Sequence, residues 1–384
     1  MAIVGIICEY NPFHSGHRHQ FDLIRERLPG TRILCLMSGC FTQRGTPALH
    51  APLDRARAAL RAGADLVLEL PCAFAVRDAE HFALGGVEIL TRLGFVTHLC
   101  FGAEDDTAPL EAAAALLEAP TPAYTLALKR GLSDGLSLAA AQGRALSACL
   151  PGEAPVWEKP NNILALCYLR ALRRLCSPLL PLIVRREGDY HADTLDGQAW
   201  PSASAVRRAF LAGDFSAADA ACPEPLPRRP VCPPGALDRV YLYKLRSMCP
   251  EALRRLPDCT EGLENRLLAC ARQAVSREEL LSLLKTRRYA HARLSRLCAH
   301  ALLDLDAATF ADARPSYVRL LGFRRDAREL LCLLRESGLP VISKAADGDR
   351  ADPLYALDIR AYDLWALGAG LPCGLMLRQG VTVV

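Results

Sequence analysis

The sequence predicts an α/β fold built on a parallel sheet, and three observations carry that reading. Short apolar runs of strand length alternate with helix-patterned segments through the first half. The runs are apolar at nearly every position, as strands covered on both faces are. Where the first run ends the chain turns straight into a helix start, the place where such a sheet binds its ligands.

The elements follow in order. Ile3 to Cys8, Ile33 to Met37, Leu66 to Leu70 and Thr97 to Phe101 read as the first four strands. Helical periodicity covers Asp54 to Ala62 and Ala79 to Leu93, then a stretch rich in Ala and Leu from about Pro109 to Leu150. A helix from Asn161 to Arg174 precedes a fifth strand, Leu179 to Val184. Ser202, with Pro201 before it, is a good N-cap for the next helix, worth about 1 kcal/mol. Between Asp219 and Pro234 six prolines rule out a regular helix, so 219–235 reads as a linker. Ala236 to Leu305 is helical by periodicity. Tyr317 to Leu321 and Leu339 to Ser343 then read as strands around a helix from Arg325 to Glu336. The expected organisation is a first domain over 1–218, the linker, and a mainly helical region over 236–384.

Composition bounds what the chain can be. Its 384 residues are 51% hydrophobic and 23% charged, with a mean hydropathy of +0.12, which is globular and large enough for two cores. No apolar stretch approaches the roughly 20 residues of a membrane span, and Met1 to Tyr10 has no basic lead-in. A cytoplasmic location is expected, without membrane or protein partner. The sixteen cysteines contain no C-x-x-C, and most sit in apolar runs such as Leu331-Cys332-Leu333. They read as reduced, buried and inert rather than as a zinc or redox framework. The net charge of +4 is small, but residues 201–300 hold 17 Lys and Arg against 10 Asp and Glu. A solvated helical face explains that excess about as well as an RNA contact.

The chemistry starts after the first strand. There is no P-loop and no G-x-G-x-x-G; instead the chain reads Glu9-Tyr10-Asn11-Pro12-Phe13-His14-Ser15-Gly16-His17. His14 and His17 fall one helical turn apart, at a helix N-terminus whose N–H groups and dipole attract phosphate. Gly16 keeps a side chain out of the way. Two imidazoles there can donate to phosphoryl oxygens as pyrophosphate leaves. Two histidines capping a helix is the plainer alternative.

H-x-G-H in this position resembles the nucleotidyltransferase superfamily, whose second signature is a Ser/Thr-rich helix start with a basic residue downstream. Pro201-Ser202-Ala203-Ser204-Ala205-Val206-Arg207 fits it, placing Ser202, Ser204 and Arg207 near phosphate. The resemblance narrows with Met37-Ser38-Gly39, Phe41, Gln43-Arg44-Gly45, Pro47-Ala48 and Ala64-Asp65-Leu66-Val67-Leu68-Glu69-Leu70-Pro71. Phe101-Gly102-Ala103-Glu104, Lys159-Pro160-Asn161-Asn162-Ile163-Leu164, Tyr190-His191, Arg287-Arg288-Tyr289 with Arg293 and Arg296, and Leu320-Leu321-Gly322-Phe323 extend it. Together they look like the bacterial tRNA(Met) cytidine acetate ligase family, over nearly the whole chain. The tail Gly368 to Val384 reads as an addition to that pattern.

The resemblance implies that ATP and acetate form acetyl-adenylate, and that N4 of the wobble cytidine of elongator methionine tRNA takes the acetyl group. ATP would be the nucleotide substrate, with Mg²⁺ its usual companion and no protein metal ligands legible. The ATP site would comprise Ile7, Cys8, Glu9, Tyr10, Asn11, Pro12, Phe13, His14, Ser15, Gly16, His17, Arg18, His19 and Gln20. Gly102, Asn161, Asn162, Arg185, Arg186, Ser202, Ser204 and Arg207 would complete it, with His14 and His17 catalytic. For the Asn pair helix capping is the alternative, and for Arg185-Arg186 a surface salt bridge. Gln43-Arg44-Gly45 could shape the acetate or pyrophosphate pocket, while Asp65 and Glu69 read as capping carboxylates, with holding loops or a metal as the alternative. Lys285, Arg287, Arg288, Tyr289, Arg293 and Arg296, taken as one helical segment, would hold RNA through phosphate contacts and a stacking ring. Two other readings remain open: an adenylyltransferase for a small phosphorylated cofactor precursor, and a nucleotide-gated RNA-binding protein without chemistry.

Overall fold

The structure is a computed structural model that describes residues 1–136, 138–150, 159–185, 195, 200–260, 262–286, 289–311 and 313–384. Arg186, Tyr190, His191, Arg287 and Arg288 lie outside the described residues. Five strands run parallel: β1 (Ile3–Cys8), β2 (Arg32–Ser38), β3 (Leu66–Leu70), β4 (His98–Ala103) and β5 (Leu180–Arg185). From beyond the proline-rich segment, β6 (Val318–Phe323) adds antiparallel to β3, and β7 (Val341–Ile342) and β8 (Thr382–Val383) pair parallel with β6. The order is β5-β4-β1-β2-β3-β6-β7, with β8 also on β6. The predicted α/β fold with its mostly parallel sheet is the one observed.

In the first half the helices are α1 (Ser15–Arg27), α2 (Pro52–Arg61), α3 (Cys72–Ala75), α4 (Ala79–Leu93), α5 (Thr107–Glu118), α6 (Pro122–Ser133), α7 (Leu138–Cys149) and α8 (Pro160–Arg174). After β5 come α9 (Ala203–Leu211) and α10 (Phe215–Ala220). The second half holds α11 (Asp238–Ser247), α12 (Pro250–Arg254), α13 (Leu263–Gln273), α14 (Arg277–Leu284), α15 (His291–Leu302), α16 (Ala307–Phe310), α17 (Glu329–Arg335) and α18 (Pro353–Gly368). The expected helical run from Pro109 to Leu150 is thus three helices. Its breaks carry the expected punctuation: Thr121 caps α6 with Pro122 at its first position, and Gly135 sits at φ +81° after its end.

Strand side chains alternate between two cores, as their period of two requires. Val4, Ile6, Ile33, Cys35, Met37 and Val67 meet Phe21 and Ile24 of α1 and Ala56, Ala59 and Leu60 of α2. Burying Phe21 and Ile24 is worth about 1.5–3 kcal/mol each and pins α1 with its N-terminus over the end of β1. On the other face Ile3, Ile7, Leu34, Leu36, Leu68 and Phe101 join a core that runs on through Tyr241, Leu267, Leu297 and Trp365 of the later helices. The segment 219–235 is therefore no boundary between separate cores. The tail joins the same sheet, since Thr382 and Val383 pair with Gly322 and Phe323.

All sixteen cysteines are free thiols, but only eight are buried. Cys332 is exposed although both its neighbours are apolar, because α17 turns Leu330 and Leu334, one turn apart, into the core. Among the described residues no helix is long and apolar enough to cross a membrane.

Candidate active site

Strand β1 lies between β2 and β4, so the chain leaves it in one direction and returns on its other side. The crevice beyond the carboxyl ends of β1 and β4 is the switch point where such sheets bind ligands. The loop that fills it is built by its own side chains. His14 is the N-cap of α1 and its Nδ1 accepts the Gly16 N–H at 3.1 Å. His17 reaches back, its Nδ1 accepting the His14 N–H at 3.2 Å, in a histidine version of the capping box. Each Nδ1 being an acceptor, the proton of each neutral ring sits on Nε2. The two rings lie 3.8 Å apart between centroids, and Tyr10 and Phe13 pack on the ring of His17 at 4.8 and 5.4 Å. Two Nε2–H donors are thus held in fixed register at the positive end of a helix. Gly16 also serves this packing, for a Cβ there would press on the His14 ring at 3.0 Å.

The second predicted motif meets the first. Ser202 caps α9, its Oγ accepting the Ala205 N–H at 3.1 Å, and Arg207 donates to the Ser204 Oγ at 3.1 Å and to the Asn11 carbonyl. Asn11 also holds the Leu49 N–H at 2.9 Å, and the Ser15 N–H donates to the Ala221 carbonyl at 2.9 Å. Trp200 stacks on His19 at 4.2 Å with planes 8° apart. Other members of the 7–20 segment turn elsewhere. Arg18 is exposed and pairs with Asp22, Gln20 reaches Cys100, and Tyr10 meets Cys35. Burial raises the pKa of Cys8 and Tyr10, so both stay protonated at neutral pH.

Across the crevice Gly102 pairs in register with Val184. Asn162 is wholly buried: its Oδ1 accepts the Glu104 N–H at 2.9 Å and its Nδ2 donates to Asp105 at 2.6 Å. Asn161 donates to the Glu104 carboxylate, and Lys159 pairs with Asp105 at 2.8 Å. Burial pushes the Asp105 carboxyl up, but Lys159 and Asn162 outweigh it and hold it below the ordinary carboxylate range. The Asn pair thus ties α8 to the end of β4 by long-range bonds, while the N-cap Lys159 makes no side-chain cap hydrogen bond. Arg185 lies exposed at the end of β5, 3.7 Å from Asp106.

Sequence reasoning passed over Arg55. This guanidinium is 2% exposed and donates to the carbonyls of His50 (3.2 Å), Ser38 (3.0 Å), Gly39 and Glu9. It ties the carboxyl ends of β1 and β2 together, and the Glu9 carboxylate adds a second tie by accepting the Gln43 N–H. The signal was present, since an arginine occupies the inward stripe of α2 beside Ala56 and Ala59. Asp65 caps no helix but ties into β2, accepting from the Ile33 N–H at 2.8 Å and from Arg32 at 2.9 Å. Glu69 instead makes a buried ion pair with Arg319. Among the described residues no three His, Cys, Asp or Glu side chains cluster to hold a metal.

The basic set departs from expectation. Lys285, Tyr289, Arg293 and Arg296 are not on one helical segment, because α14 ends at Leu284 and α15 begins at His291. Tyr289 is buried, with Arg293 over its ring at 5.2 Å. Arg293 donates to the Asp258 carbonyl at 2.9 Å and to Thr260 at 2.7 Å, and Arg296 is 8% exposed and faces Asp258 at 3.6 Å. Lys285 is exposed, its Nζ 3.4 Å from the Tyr289 carbonyl.

The family model described as HIGH Nucleotidyl Transferase matches residues 1–372. The tRNA(Met) cytidine acetate ligase of Acetivibrio thermocellus is 34% identical over 96% of this chain and 95% of its own length. That of Clostridium perfringens is 33% identical over 95% of each. The crystal structure of Thermotoga maritima TmcAL bound with alpha-thio ATP superposes over the whole of both chains with a TM-score of 0.87 at 27% identity, and its apo form does so at 0.91. The chain therefore belongs to the tRNA(Met) cytidine acetate ligase family of HIGH nucleotidyl transferases.

Proposed function

We propose that this protein joins acetate to N4 of the wobble cytidine of elongator methionine tRNA at the expense of ATP. The observation that carries the reading is the pair of Nε2–H donors of His14 and His17 at the α1 N-terminus, in the switch-point crevice of a chain whose relatives bear that activity's name. An acetate oxygen attacks the α-phosphorus of ATP and the bond to pyrophosphate breaks. His14 and His17 stabilise the charge that grows on the leaving phosphates. The cytidine N4 then attacks the acetyl carbon, AMP leaves, and N4 loses a proton. The anhydride supplies the drive, since the amine is delocalised into its ring and acetate is unreactive. Arg207, anchored on the Asn11 carbonyl, binds the phosphates in this reading. Mg²⁺ travels with ATP, and the region beyond residue 236 carries RNA contacts.

The test is incubation with ATP, labelled acetate and bulk tRNA, then digestion and mass spectrometry for N4-acetylcytidine, with ATP omitted or acetyl-CoA supplied instead as controls. Product that requires both ATP and acetate is expected. Pyrophosphate release with another acceptor and no acetylated nucleoside overturns the acetate assignment.

A further inference from the structure

Loop 39–50, between β2 and α2, touches both halves of the molecule. Its turn is closed by the Phe41–Pro47 bridge and by the Gly45 N–H donating to the Thr42 carbonyl at 2.9 Å. On one side the Glu9 carboxylate holds Gln43. On the other, Ser295 of α15 donates to the Arg44 carbonyl, and Arg277 of α14 donates to the Gly45 carbonyl at 3.2 Å. Gly45 has φ +71°, and a Cβ there would lie 2.8 Å from the Arg296 Cα. Here α15 sits directly on the loop backbone.

This contact gathers charge. Ser295 and His291 are one turn apart on α15, so His291 faces the loop that carries Arg44. Lys285 closes the end of α14 and reaches toward Tyr289, two residues before His291. Burial lowers the pKa of the His291 imidazole, and the positive charges of Arg277, Lys285 and Arg44 lower it further. Arg44, Lys285 and His291 are exposed. A phosphate strand laid over exposed cations releases its counterions.

We infer that Arg44 and Lys285, with His291 beside them, form one RNA phosphate site that seats the substrate strand next to the His14–His17 crevice. The inference rests on the proposed RNA substrate. It replaces the expected stripe of Arg293 and Arg296 with a composite surface, half of it contributed by the loop that Glu9 ties to the nucleotide side. Phosphates held there run past Gln43 toward the carboxyl ends of β1 and β2, so a base turned inward meets the activated acetyl group.

Binding of unmodified tRNA to the full chain, followed against salt concentration, tests this. Arg44→Ala and Lys285→Ala are each expected to lower the slope of log affinity against log salt by about one, and the double variant by about two. Arg335→Ala on α17 serves as a cation outside the surface and should leave the slope unchanged. Unchanged slopes for Arg44→Ala and Lys285→Ala, in protein whose thermal midpoint matches the parent, overturn the inference. Loss of slope in all three variants alike also overturns it, as a general charge effect. Assay of the parent protein for N4-acetylcytidine separates the two readings. Acetylation with unchanged slopes sinks the surface alone, whereas lowered slopes without acetylation leave the surface standing and sink the reaction.

Discussion

The His14 loop and the α14–α15 region are both rich in groups that bind phosphate, yet their sequences convey their structures unequally. In the loop the two histidines act within a few residues of themselves, His14 on Gly16 and His17 on His14. Around α15 the arginines act at long range, Arg293 on Asp258 and Thr260, Arg277 on Gly45 and Ser295. A capped helix start can be read from spacing, whereas a guanidinium that clamps distant carbonyls looks in sequence like any surface cation. Counting charge over a segment therefore overstates its cationic surface.

The largest expected effect lies where the two kinds of region meet. Arg55→Met leaves four carbonyls at the ends of β1 and β2 without their donor, at about 1–3 kcal/mol for each that stays dry. A loss of at least about 3 kcal/mol in urea unfolding is expected. A loss below about 1 kcal/mol would show that water replaces the clamp, and that the two loops keep their spacing without it.

Next comes the chemistry of the local region. His14→Asn keeps a side-chain oxygen able to cap α1 but removes the Nε2–H donor. Acetate-dependent pyrophosphate release should fall about 10²–10³-fold, the loss typical of one preorganised donor, with stability within about 1 kcal/mol of the parent. Equal losses of stability and rate would reduce His14 to a cap.

A third test probes a buried cluster that joins the halves. Asp358 of α18 accepts the Cys72 N–H at 2.7 Å and bonds Tyr317, while Arg319 serves Glu69. Burial, and then the Glu69 charge, push the Asp358 carboxyl up to about 8. Its folded pKa is thus above its unfolded value, so the native state holds the proton longer. Its contribution is fully present below about pH 4 and is lost as pH rises toward 8, by at most about 1.4 kcal/mol per pH unit. Asp358→Asn should flatten that decline in thermal midpoint. An unchanged slope would assign the decline to other groups.

Much of the sheet was legible because its strands are apolar at nearly every position and the helices between them keep their period. The α4 boundaries, Ala79–Leu93, coincide with the predicted ones, since Asp78 caps one end and Gly94 closes the other. The β6 pairing was not legible: its partner β3 lies some 250 residues earlier, and Glu69 and Arg319 find each other only in three dimensions. The tail escaped for the same reason, two residues of β8 being too short to carry a period. Within the site, Ser202 and Arg207 could be read because a cap and a basic residue one turn on have a fixed spacing. Arg55 needed the inward stripe of α2 to be taken as seriously as its charge.

The smallest expected effect draws the line between clamp and RNA contact most finely. Arg293 donates to a carbonyl and a hydroxyl and covers Tyr289, so Arg293→Ala should cost about 1–2 kcal/mol in unfolding through lost hydrogen bonds and packing. The salt slope of tRNA binding should not move, because its charge is already spent on the Asp258–Thr260 turn. Lys285, four residues before the buried Tyr289 and exposed, should behave the opposite way, with a lower slope and unchanged stability. If Arg293→Ala lowers the slope as Lys285→Ala does, the guanidinium leaves its carbonyls for phosphate when RNA arrives. The stripe read from the sequence would then be the bound state's surface.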